Sequence, residues 1–168
     1  MKTALYAGTF DPVTIGHQSI IIRSAELFDK VIVGIGHNSQ KQCMFSLEER
    51  LVMLKTLVED IKEVLKMDNI EVTSYEGLTV DFCKKNKVDY IIRGVRTNTD
   101  WSVESSIVYA NKLLNERVGT VFLLANIDEI GISSSIVRDI LRNNGDVSEF
   151  VPDVVLDMVQ KKITTHQK

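Results

Sequence analysis

Apolar positions along this chain alternate between two spacings. Thr3–Ala7 is a short apolar run that reads as a first strand, and Lys30–Gly36 (KVIVGIG) is apolar on both faces, as a strand buried between two layers should be. Between them Ile20, Ile21, Ser24, Leu27 and Phe28 make one stripe at helical spacing, which predicts a helix over His17–Phe28. The residues from His37 to Phe45 are polar and irregular and read as a loop. Ser46 and Glu49 then have the spacing of a capping box, opening a helix with Leu51, Leu54 and Val58 on one face. Asn69–Ser74 reads as a strand, Leu78–Lys85 as a short helix and Val88–Ile92 as a fourth strand. Arg93–Thr99 follows as a loop, with Asp100 as the expected cap of a helix over Trp101–Asn115. Thr120–Ala125 is a fifth strand, Ser133–Arg142 a helix, and Pro152–Lys162 a last helix with proline in its first turn.

This alternation implies an α/β fold: a Rossmann-like, doubly wound, five-stranded parallel sheet with helices on both faces, in a single domain over residues 1–168. In such sheets ligands bind beyond the carboxyl ends of the strands, near the point where strand order reverses. The segments that follow strands therefore carry the chemistry.

Composition narrows the partners. A charged share of 26% with a net charge of −3 argues against a general nucleic-acid binder, which would present a basic face. Cys43 and Cys83 form no C-x-x-C pair, so zinc and redox-motif readings fail and a reduced, cytoplasmic compartment is expected. No apolar stretch is long enough for a membrane span, and the first residues enter a strand pattern without a signal-peptide layout.

Four post-strand segments are rich in donors. Gly8-Thr9-Phe10-Asp11-Pro12 and Thr14-Ile15-Gly16-His17 join the first strand to the first helix, a place where backbone N–H groups and the helix dipole favour a phosphate. Ser133-Ser134-Ser135 starts a later helix, with Arg138 on its next turn, and one serine would suffice as a cap. Arg93-Gly94-Val95-Arg96 puts two forked cations at a strand end, and Lys41 lies in the loop after the second strand. Together Thr9, His17, Lys41, Arg93, Arg96 and Ser133–Ser135 lack an obvious general-base carboxylate. Such a set suits phosphoryl or nucleotidyl transfer, which depends on positioning and charge neutralisation. Asp11 reads as a turn residue, Trp101 as packing, His37 as a loop residue and His166 as part of a tail.

These motifs resemble the bacterial phosphopantetheine adenylyltransferase family, within the T/H-x-G-H nucleotidyltransferases, over Thr3 to about Val159. The resemblance implies adenylyl transfer from ATP to 4′-phosphopantetheine, giving dephospho-coenzyme A and pyrophosphate, with Mg2+ accompanying ATP. It implies catalytic roles for Thr9, His17, Lys41 and Arg96. ATP contacts would come from Thr9, Phe10, Gly16, His17, Arg96, Glu104 and Ser133–Ser135. Substrate contacts would come from Thr9, Lys41, Leu78, Thr79, Arg93 and Asn111. It further implies a homohexamer and coenzyme A as a feedback ligand. The chain departs from the family pattern at Ala7, Gln42-Cys43, Trp101–Val103 and Asn126. The alternatives are another adenylyl- or cytidylyltransferase of the superfamily, or a non-catalytic nucleotide or coenzyme A sensor on the same fold.

Overall fold

A computed structural model describes residues 1–37 and 42–165. Lys41 and His166 therefore lie outside the described residues. Five strands form one all-parallel sheet: β1 (Thr3–Gly8), β2 (Lys30–His37), β3 (Ile70–Glu76), β4 (Tyr90–Val95) and β5 (Gly119–Leu124). Their spatial order is β3-β2-β1-β4-β5, so the chain reverses direction across the sheet at β1 and β4. The helices are α1 (Ile15–Leu27), α2 (Leu47–Leu65), α3 (Thr79–Lys85), α4 (Asn98–Leu114), α5 (Ser134–Arg142) and α6 (Asp153–Thr165). A single 3-10 turn at Ile127–Glu129, which the sequence pattern does not signal, follows β5.

Strand alternation divides the core in two. Ala4, Tyr6, Val31, Val33 and Ile92 face α1, α2, α5 and α6, meeting Ile21, Leu54, Leu57, Ile61, Val137 and Val155 in one buried cluster. Leu5, Ala7, Ile32 and Ile91 face the other way and pack on Val80 and Cys83 of α3. Burying one such Leu or Ile contributes roughly 1.5–3 kcal/mol, and the larger cluster holds most of these side chains. α4 lies on the second face. Arg93 shares a face with Ile91, Phe122 of β5 pairs with Arg93, and the Trp101 ring stands 4.7 Å from that of Phe122. No residue of α4 is buried, and Trp101, Val103, Tyr109, Leu113 and Leu114 are exposed along it.

The structure corrects four details. Thr97, not Asp100, caps α4: its hydroxyl accepts from the Asp100 N–H, while the Asp100 carboxylate is taken by the backbone N–H and Nε of Arg96. β4 runs on to Val95, so Arg93 and Gly94 belong to a strand paired with Phe122 and Leu123 and not to a loop. Leu27 is 59% exposed, because the buried stripe of α1 runs through Ile20, Ile21, Ser24 and Ala25, one step to its side. α6 starts at Asp153, one residue after Pro152, whose carbonyl accepts from the Val155 N–H. The capping box of Ser46 and Glu49 is present as the sequence indicates.

Candidate active site

Where the strand order reverses, the ends of β1 and β4 open into a cavity of ≈ 360 Å³. Its walls bring together Thr9, Phe10, Gly16, His17, Arg93, Arg96, Glu104, Ser133, Ser134, Ser135 and Arg138. Residues 129 positions apart in sequence thus share one rim. Gln42, the first described residue after the gap that holds Lys41, also lines it. Leu78, Thr79 and Asn111 do not. Leu78 is exposed before α3, the Thr79 hydroxyl is hydrogen-bonded to that of Tyr75 at 2.9 Å, and the Asn111 carbonyl accepts from Asn115 within the last turn of α4.

The turn after β1 is shaped by two backbone facts. Phe10 is left-handed (φ 50°) and buried, with its ring folded back over Gly8, where a Cβ would stand only 2.8 Å from Cζ. That ring also meets His17 at 5.0 Å and Tyr6 at 5.4 Å between centroids. Asp11, buried and followed by a cis bond to Pro12, accepts from the N–H groups of Met44 (3.0 Å) and Phe45 (2.8 Å). Asp11 is thus a turn residue, and it also fastens the end of the loop after β2.

His17 closes a capping box with Thr14. The Thr14 backbone N–H, which can only donate, points at Nδ1 at 3.0 Å, and the Thr14 hydroxyl is 2.9 Å from the same nitrogen. Nδ1 is therefore the acceptor, and the proton of the neutral ring resides on Nε2. Enclosure by protein, reinforced by the Arg96 charge, pushes the imidazole down to about 4 from its ordinary 6.5. At neutral pH His17 is an uncharged donor. Burial likewise raises the Tyr6 phenol well above its usual range, so it stays protonated.

Both arginines of the R-G-x-R segment are tied to α4. Arg93 Nε lies 2.9 Å from Glu104 Oε2 without hydrogen-bond alignment, and its Nη1 donates to the Ala7 carbonyl at 3.2 Å. Arg96 pairs with Asp100 at 3.1 Å and donates to the Ile132 carbonyl at 2.9 Å, linking β4 to the serine turn. The three serines divide their work. Ser133 caps α5 by accepting from the Ile136 N–H, Ser134 donates to the Pro12 carbonyl at 2.8 Å, and Ser135 accepts from Arg138 at 3.1 Å. Arg138 also donates to the Asp11 carbonyl at 2.6 Å. The N-terminus of α5 thus faces the cavity with the backbone N–H groups of Ser134 and Ser135, which precede the capped Ile136 N–H, and the hydroxyl protons of Ser133 and Ser135. Carboxylates do stand in this cavity, but Asp11, Asp100 and Glu104 are each engaged by N–H groups or a guanidinium, which leaves none of these three disposed as a base.

Tyr6 and Asp100 belong to the site without having been among its expected members, and Thr14 and Arg138, which stand in the donor-rich segments, carried no assigned role. Arg138 had a signal in the helical turn after the serines, and Tyr6 in its hydroxyl near the carboxyl end of a strand. For Thr14 and Asp100 the partner decides, and the partner becomes visible only in three dimensions.

A cation-rich, hydroxyl-rich rim at the strand reversal of a parallel sheet, with a neutral histidine at its centre, defines a nucleotidyltransferase. The cytidylyltransferase-like family model matches residues 5–140. A Plasmodium falciparum nicotinic acid mononucleotide adenylyltransferase complexed with NaAD superposes with a TM-score of 0.74 at 18% identity, covering 96% of each chain, which speaks to the fold. Phosphopantetheine adenylyltransferase of Flavobacterium psychrophilum is 45% identical over 92% of this chain and 98% of its own. That of Lachnoclostridium phytofermentans is 40% identical over 96% of both. The chain belongs to the phosphopantetheine adenylyltransferase family, and it is an enzyme of the nucleotidyltransferase class.

Proposed function

We propose that this rim transfers the adenylyl group of ATP to 4′-phosphopantetheine, yielding dephospho-coenzyme A and pyrophosphate. The observation that carries the reading is the gathering of Thr9, His17, Arg93, Arg96 and the start of α5 around one cavity. The acceptor's phosphate oxygen attacks the α-phosphorus of ATP, a P–O bond forms, and the bond to the bridging oxygen breaks as pyrophosphate leaves. A phosphate nucleophile is already anionic and needs no proton removed, in keeping with the engaged carboxylates. Catalysis then rests on orientation and charge. His17 Nε2–H and the N–H groups after β1 meet the α-phosphate, the α5 N-terminus and Arg96 hold the leaving pyrophosphate, and Arg93 takes the acceptor's phosphate. Lys41, outside the described residues, takes the family's role of binding both substrates' phosphates.

Among the described residues no group of three His, Cys, Asp or Glu side chains could hold a metal. The donor set suits anions, and Mg2+ would arrive with the triphosphate and, when bound, would supply charge neutralisation at the phosphates. Leu78, Thr79 and Asn111 would meet the pantetheine arm beyond the rim, and coenzyme A, which ends in that same arm, would compete there as a feedback ligand. The exposed apolar side of α4 supports a homo-oligomer, the hexamer of the family. No helix among the described residues is long and apolar enough to cross a membrane, in keeping with a cytoplasmic enzyme. A non-catalytic sensor is not favoured, since the rim keeps Thr9, His17, Arg93 and Arg96 in one cavity. The test is pyrophosphate release from Mg-ATP: it should require phosphopantetheine. Release with nicotinate mononucleotide, or from CTP with glycerol 3-phosphate, would move the activity elsewhere in the superfamily.

A further inference from the structure

Arg50, on the first turn of α2, is 3% exposed, yet it does not line the cavity. Among the described residues it pairs with no carboxylate. Its guanidinium is spent on carbonyls: Nε donates to Phe45 (3.1 Å) and Ser46 (3.3 Å), and Nη1 donates to Thr9 at 2.8 Å, across forty-one positions of sequence. Burying a cation costs free energy unless its hydrogen bonds are met, so a guanidinium held only by neutral oxygens stands in need of a reason.

The Thr9 carbonyl supplies one. The peptide between Thr9 and Phe10 is trans, so its N–H points opposite to its carbonyl. Thr9 and Phe10 line the cavity and Arg50 does not, so a carbonyl held towards Arg50 leaves the opposite N–H, that of Phe10, for the cavity side. The following residue is left-handed, a conformation a phenylalanine rarely adopts unless its surroundings impose it. We propose that Arg50 is a positioning residue of the phosphate site: its fork clamps the Thr9 carbonyl, sets the Thr9–Phe10 peptide, and so aims the Phe10 N–H at the nucleotide's phosphates. It does not touch the nucleotide. The inference rests on the ATP-binding role given to this rim above.

Calorimetry with a non-hydrolysable ATP analogue and Mg2+ on the full chain, comparing wild type with Arg50→Met and Arg50→Lys, tests it. A misdirected N–H weakens affinity about ten- to a hundredfold in Arg50→Met, the size expected for one lost hydrogen bond to a charged group, with the lysine variant in between. A purely structural role would instead lower the competent fraction, read as stoichiometry, and leave the dissociation constant unchanged. Folded variants that bind the analogue within twofold of wild type overturn the proposal. Because Arg50→Met removes a buried anchor, an amide NMR titration of wild type runs beside it. The Phe10 N–H resonance should move on saturation with Mg-ATP, and a resonance that stays in place sinks the proposal even if neither variant folds. Failure of wild type to adenylylate phosphopantetheine, with Phe10 still responding to ATP, would count against the substrate assignment and not against Arg50.

Discussion

Arg93 and Glu104 meet at 2.9 Å inside the cavity, the arginine from a sheet strand and the glutamate from a helix with no fully buried residue. Each is about four-fifths buried, with side-chain exposures of 20% and 22%, so the carboxylate is the main counter-charge of the cation proposed to take the acceptor's phosphate. Removing it by Glu104→Ala should destabilise the free protein by about 1–3 kcal/mol, less than a fully buried pair would cost. An anion should then repair the defect. In thermal melts 4′-phosphopantetheine, whose phosphate Arg93 is proposed to take, is expected to raise the Tm of Glu104→Ala by more than that of wild type. Equal shifts would mean that Arg93 does not face the anion site.

His17 offers a sharper test. Replacing it with alanine should lower kcat by about 10²–10³, the loss typical of one oriented donor to a developing charge, with the fold retained. Thr14 loses a partner in that variant but keeps the N-cap position. A circular dichroism melt beside a pyrophosphate-release assay would separate the two effects, and a drop of less than tenfold would deny His17 its central place.

The protonation of His17 also sets a pH dependence. Its folded value, about 4, lies below the ordinary 6.5, so between those limits the unfolded chain holds the extra proton. The stability this group contributes is fully present above pH 6.5 and is lost as pH falls towards 4. Urea midpoints of wild type should fall over that window more steeply than those of His17→Asn. NMR of the ring in the free enzyme should find the neutral Nε2–H tautomer at pH 7. Titration of His17 near 6.5 would contradict the enclosure described above.

Gly8→Ala should be costly although it adds one methyl group. The new Cβ would approach Phe10 Cζ at 2.8 Å and Cε2 at 2.9 Å, and the ring already packs against Tyr6 and His17. Overpacking of this kind costs about 1–3 kcal/mol. Activity should fall further than stability, because the displaced ring pushes on the imidazole. Unchanged denaturation midpoints would show that Phe10 can move freely.

Asp11→Ala should free the loop after β2 at its carboxyl end. Two amide hydrogen bonds to a buried carboxylate disappear, leaving the Met44 and Phe45 N–H groups unmet, at a cost of about 2–4 kcal/mol. Asp11→Asn keeps one acceptor oxygen and should recover part of that loss. Hydrogen exchange at Met44 and Phe45 would report it directly.

Much of this was legible beforehand. The five strands and the main helices follow from apolar spacing, and the parallel order follows from their alternation. The rim residues were found because a doubly wound sheet sends every post-strand segment to one edge. The partners of those residues were not legible. That Asp100 serves Arg96 while Thr97 caps the helix depends on a side chain choosing between two donors a few residues apart. That three adjacent serines have three different bonds depends on Pro12 and Arg138 arriving from elsewhere. Arg50 lies in the helix that the capping box opens, and nothing local reveals that Thr9 will come within its reach.

α4 supplies the counter-charges of both rim arginines, yet no residue of it is fully buried, and it rests on the sheet through Glu104 at Arg93 and Trp101 at Phe122. In the proposed homo-oligomer a neighbouring copy would cover the exposed Tyr109 and Leu113 and so steady this helix. Specific activity should then depend on protein concentration: a dilute sample, stripped of neighbours, would loosen the grip on Arg93 and Arg96 before the sheet itself gave way.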